Sequence, residues 1–256
     1  MSLDFLTPAL MVDGAGPANP SPNSPVARSP MERSAQAEGA SFEVRSGWNV
    51  AVGYTSREQE TDLCTTTVGW SDISHLGKLE LQASPEAMRA IVTEAAGGAS
   101  LELGHATRAG YVWWLPLTPS RTLVVCEAAD APGLKRRLSE AASESPGHAS
   151  VADVTSVFAA LTLVGPLARE VFARFCAVDL RPAVTPVAAL RPGSIARQPG
   201  LIVREDENRF LFLFGWAVGE YMWTVVADAA RHLGGGPVGL DALSLHPQPT
   251  AEPSRA

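Results

Sequence analysis

The chain has 256 residues, with 20 basic and 27 acidic side chains, a formal net charge of −7 and no run of Lys or Arg. That balance excludes the electrostatic footprint of a nucleic-acid binder or of a protein held on an anionic membrane surface. Cys64, Cys126 and Cys176 show neither CxxC spacing nor clustering with His; this argues against a metal site, suits a reducing compartment, and makes each a small buried apolar residue.

Residues 1–40 are dense in Pro, Ser, Ala and Gly without periodicity. Such a segment buries too little apolar surface to offset its ordering entropy, so it is expected to be disordered. The tail 246–256 reads the same way. No charged region precedes an apolar one at the start, and no apolar run approaches the ~20 residues of a bilayer span, so a cytoplasmic protein with no membrane partner is expected. The folded domain is then 41–245.

Within it a weak repeat appears. "KLELQASPEAMRAIVTEA" (78–95) and "ALTLVGPLAREVFARFCA" (160–177) both run from an alternating strand through a turn with a proline into an amphipathic helix. Leu79 and Leu81, like Leu161 and Leu163, give the apolar face of a half-buried strand, and Pro85 and Pro166 lie near the helix starts, where a missing N–H costs nothing. Each copy continues with two β-rich runs and a helix: "YVWWLPL", "RTLVVCE" and "GLKRRLSEAASE", then "GLIVRED", "RFLFLFGW" and "VGEYMWTVVADAARHLG". The spacing predicts an α+β domain of two βαββα repeats, about 41–150 and 151–245, each covering one sheet face and packed as a pseudo-twofold pair. "HLGGGPVG" (232–239) lacks a GKS or GKT ending and follows a helix, so it reads as a helix end and turn rather than a phosphate loop. Asp72, Ser74 and His75 lie within four residues, but a hydrolytic triad is assembled from distant segments and no GxSxG elbow is present.

"VGWSDISHLGKLELQ" (68–82) resembles the VGLFDxSHxGKxxxxG pattern of the glycine cleavage T-protein, a folate-dependent aminomethyltransferase. "LVGPLAREVF" resembles the family's LxGPxA segment, and "GGGPVGLDALSL" its GLxPxGLxALxSLR stretch. The family also includes the α and γ subunits of heterotetrameric sarcosine oxidase. The resemblance implies a folate-binding aminomethyltransferase-like fold of ferredoxin-like halves, and a length like that of the γ subunit, without the C-terminal β-barrel.

The resemblance also implies the site. The family's GGxxDDLxVY hairpin, laid through Gly110 and Leu115, places its two aspartates on Trp113 and Trp114, neither of which ionises. Adjacent strand residues face opposite ways, so one tryptophan is expected to look out of the sheet and, with Trp216, to serve an interface. The VVNAxN asparagine falls near Cys126 and Glu127. The YTGExGxE glutamate finds its nearest match in Glu207, and the folate-tail arginine falls near Pro247. His75, Trp113, Trp114, Cys126, Glu127 and Glu207 are therefore the implied pocket positions, with no catalytic residue and no metal ligand. The expected function is a noncatalytic γ-type subunit or accessory protein of a flavin-dependent, sarcosine-oxidase-like amine-oxidising complex, binding no cofactor alone. The alternatives are a tetrahydrofolate-dependent enzyme using Glu127 or Glu207, and a binder of another flat molecule stacked on tryptophan.

Overall fold

The computed structural model describes residues 25–145 and 147–243; the positions 1–24, the tail 246–256 and Pro247 lie outside them. The first repeat comprises β5 (Gly77–Ala83), α3 (Pro85–Ala95), β6 (Thr107–Ala109), β7 (Val112–Thr118), β8 (Arg121–Cys126) and α4 (Ala131–Glu144). The second comprises β10 (Phe158–Val164), α5 (Ala168–Phe172), β11 (Leu190–Ile195), β12 (Gln198–Asp206), β13 (Arg209–Gly215) and α6 (Gly219–Arg231). Ser84 caps α3 by accepting from Ala87 N at 3.3 Å, with Pro85 in the first turn. The second copy's first helix is shorter than its pattern suggests. It ends at Phe172, and Cys176 beyond it pairs as an isolated bridge with Ile195.

Each repeat forms a sheet, and each sheet takes a strand from the segment before the other repeat. β4 (Gly69–Asp72) immediately precedes β5 in the chain, yet it pairs antiparallel with β10, Thr162 opposite Ser71. β9 (Ala149–Asp153) immediately precedes β10, yet it pairs with β5, Leu81 opposite Val151. The sheet orders are thus β6-β7-β8-β5-β9 and β11-β12-β13-β10-β4, the second extended by β14 (Gly236–Pro237). This exchange locks the pseudo-twofold pair together.

The layers run helix, sheet, sheet, helix. Leu79, Leu81 and Trp114 pack under α3 and α4, while Leu161, Leu163 and Phe210, Phe212 and Phe214 pack under α5 and α6. Between the sheets lie Trp113, Leu115, Leu123, Val125, Val203, Leu211 and Leu213. Gly165, at φ +136°, lets the end of β10 approach the start of β4, since a Cβ there would sit 2.4 Å from Thr67 O.

A further layer corrects the expected disorder over residues 25–40. β1 (Ala27–Arg28) and β2 (Ser41–Arg45) flank β3 (Trp48–Gly53), and α1 (Glu32–Ala37) lies between them in sequence. Met31 and Ala35 are fully buried in the core beside α6. Two small anchors suffice because the surrounding core is already built, which a composition-based reading of the segment alone does not register. α2 (Arg57–Thr66), opened by a Ser56–Gln59 capping box, and α7 (Leu240–Leu243) close one side of the inter-sheet layer.

Candidate functional site

The two tryptophans of β7 face opposite ways, as alternation requires, but both are buried. Trp113 is 5% exposed in the inter-sheet layer, and Trp114 is 1% exposed beneath the helices. The expectation that one faces an outside partner is overturned, because helices cover one face of this sheet and a second sheet covers the other. Trp216 is half-buried, 6.1 Å from the Trp48 ring.

Around Trp113 the structure assembles a polar cluster that neither hairpin supplies alone. Arg108, opposite Trp113 on β6, carries its guanidinium 5.3 Å from the indole centroid. From the second sheet, Glu205 reaches the same layer, next to the Arg204/Asp206 bulge of β12. Arg209 Nε donates to Glu205 Oε2 at 3.1 Å, and the Trp113 indole N–H donates to the same carboxyl. Burial pushes the Glu205 carboxyl above the ordinary carboxylate range, against the pull of Arg209, Arg108 and the indole bond. Glu205 is 1% exposed.

The remaining implied positions are scattered. Cys126 faces α4, beside Gly77, and burial pushes its thiol up to about 12. Glu127 is exposed at the end of β8. Its carboxyl is nevertheless partly desolvated, and its pKa is raised by that burial and by Asp130, against the pull of Arg209. Glu207 is exposed in the β12–β13 turn, where its carbonyl accepts from Arg204 Nη2 at 2.9 Å. His75 lines a different, small cavity with Asp72, Ser29 and Glu32, under β3 and α1. Burial holds its imidazole pKa down at about 4. Leu211, on the strand after that turn, is buried between the sheets.

Two functional-looking residues escaped the sequence reading. Glu205 continues the inward alternation of Leu201 and Val203, and its spacing to Arg209 is i,i+4; these were the available signals. Lys78 is fully buried on the inner face of β5, where Nζ donates to Ser74 O at 2.7 Å. Burial lowers its pKa to about 7, against the opposing pull of Asp72 and Asp153. Asp72 itself accepts from Ser74 N at 2.9 Å, and Ser74 Oγ accepts from Ala160 N at 3.0 Å. The SDISH segment thus fastens the β4–β5 loop to β10.

Chemically, a buried carboxylate between a guanidinium and an indole N–H is arranged to hold two hairpins in register. A general acid or base has to touch its substrate, and Glu205 is closed from solvent.

Comparison with known proteins agrees with this architecture. An aminomethyltransferase of Saccharopolyspora erythraea is 26% identical over 228 residues, covering 82% of this chain and 60% of the relative's length. Among solved structures, a chain of the heterotetrameric sarcosine oxidase from Corynebacterium sp. U-96, in complex with pyrrole 2-carboxylate, superposes with TM-score 0.64 at 24% identity. That match covers 83% of this chain and 98% of the other. The glycine cleavage system aminomethyltransferase T from Bartonella henselae gives TM-score 0.71 at 17% identity, covering 85% of this chain and 60% of that one. At these identities the two structures share the fold. The model of the GCVT N-terminal domain matches residues 31–246, and the chain therefore belongs to the GCVT N-terminal domain family.

Proposed function

We propose that the chain is a noncatalytic γ-type subunit of a sarcosine-oxidase-like amine-oxidising complex, keeping the aminomethyltransferase fold as a scaffold. The observation that carries this is the filling of the hairpin. Where the resemblance puts the family's acidic pair, two buried indoles stand, and the carboxyl that accepts from Trp113, Glu205, is held in a buried ion pair. Glu205 and the two indoles do not fit tetrahydrofolate, because the carboxylate is not open to orient a pterin, and we derive no step through it. The near-complete coverage of a sarcosine oxidase chain supports the same reading.

A contact surface also supports it. Among the exposed large apolar side chains, Leu103, Val184 and Val187 are 52%, 45% and 47% exposed. They sit on two loops pinned to each other: Ala106 N donates to Ala188 O at 2.7 Å, and Arg191 donates to Gly104 O at 2.9 Å and to Val184 O at 2.7 Å. Rigid exposed aliphatics are what a permanent subunit contact uses. The test is purification of the tagged chain from its own host. Isolation with flavin-containing subunits that together oxidise sarcosine is the expected result. A lone monomer, or calorimetric heat on titration with tetrahydrofolate, overturns the reading.

A further inference from the structure

On the outer side of the second sheet, the chain leaving α5 folds back and encloses an open cleft of about 330 Å³. Ala173, Val178 and Leu180 form its apolar wall, and Arg169, Glu170, Asp179 and Arg181 supply its charges. Arg181 is already engaged, since its Nε donates to Asp179 Oδ1 at 2.9 Å. Arg169 is not: among the described residues no acceptor meets its guanidinium, and its Nε is shut off from solvent with no partner. Its cationic neighbour Arg204 is 3% exposed and spends its donors on the backbone carbonyls of Thr185, Asp206 and Glu207. Burial and then the charge of Arg169 depress the Arg204 pKa, against the pull of Glu207 and Asp206. Two neighbouring guanidiniums therefore lack a carboxylate hydrogen-bonded to either, an arrangement that favours a counter-anion.

We propose that this cleft binds a small metabolite bearing a carboxylate or phosphate, with the oxyanion held by Arg169 and a short apolar portion lying on Ala173, Val178 and Leu180. The volume falls at the lower end of the ~300–1,000 Å³ range of small-molecule sites. A guanidinium fork suits either oxyanion, and a shift of Arg169 toward it relieves the stranded Nε–H. Glu170, exposed at the rim, opposes the anion and weakens binding.

Calorimetric titration of the full chain at fixed ionic strength, with butyrate and with inorganic phosphate, tests the site. Saturable binding is expected. Preference for butyrate identifies a carboxylate ligand, and preference for phosphate a phosphorylated one. R169Q is expected to weaken binding by about tenfold or more, with an unfolding midpoint equal to or above that of the parent chain. E170Q is expected to tighten binding. If R169Q fails to fold, R169K, which keeps the charge and loses the fork, is expected to weaken binding severalfold. Absence of saturable binding by both anions, or binding indifferent to Arg169 and Glu170, overturns the proposal.

Discussion

Arg209 and Glu205 form an ion pair between the sheets, 3.1 Å from Nε to Oε2, with side-chain exposures of 11% and 1%. A pair this deeply desolvated contributes little net stability, but breaking it strands a charge. Glu205→Leu is therefore expected to cost about 3–5 kcal/mol, and the double change Glu205→Leu/Arg209→Met to recover most of that loss. Urea unfolding of the three proteins checks it; a single-variant loss below about 1 kcal/mol would show that the charge finds water.

The tryptophans of β7 are adjacent in sequence but belong to different cores. Trp113→Ala and Trp114→Ala are each expected to cost about 3–5 kcal/mol. Their effects should be nearly additive, since they share no packing partner. A double variant departing from additivity by more than about 1 kcal/mol would mean that the two layers communicate through the strand.

Lys78 makes stability depend on pH. The unfolded chain keeps its proton up to the ordinary value of 10.5, whereas the folded chain holds it only up to about 7. Between those values the unfolded state binds more protons, so stability rises with pH, with a slope approaching ~1.4 kcal/mol per pH unit from this group. Below pH 7 the burial penalty is complete. Lys78→Met is thus expected to be more stable than the parent chain at pH 6, with the gap shrinking as pH climbs toward 10. Unfolding midpoints of both proteins across that range decide it, and a gap that stays constant with pH refutes the assignment.

Val184 and Val187 project from the pinned loop. Val184→Asp/Val187→Asp is expected to leave the unfolding midpoint of the isolated chain within about 0.5 kcal/mol and to abolish co-isolation with the proposed partner subunits. Co-isolation that survives the change would move the contact elsewhere.

The repeats were legible because each carries its own periodicity: Leu79 and Leu81 in one, Leu161 and Leu163 in the other, all facing helices. What those patterns do not carry is partner choice. Ser71 opposite Thr162 is a pairing across some ninety positions of chain, and local alternation is silent on it. The same limit hid Lys78, whose polar position reads as a solvent face until the β4–β5 loop is placed over it, with Ser74 O accepting from Nζ. In the inter-sheet cluster Trp113 was among the residues singled out in the sequence, and its partner Glu205 was not. Glu207 is the nearest match to the family pattern and lies in the exposed turn, whereas the inward face of β12 carries Glu205.

The traded strands β4 and β9 have a consequence for the history and handling of the molecule. Its halves stand to each other as two protomers of a domain-swapped dimer would, joined end to end in a single polypeptide. Neither half is a separable module, for each completes its sheet with a piece the other half's neighbour in sequence provides. A nick in the 145–148 connection should therefore leave the fragments associated, whereas either half expressed alone should lack a strand and remain unable to finish folding.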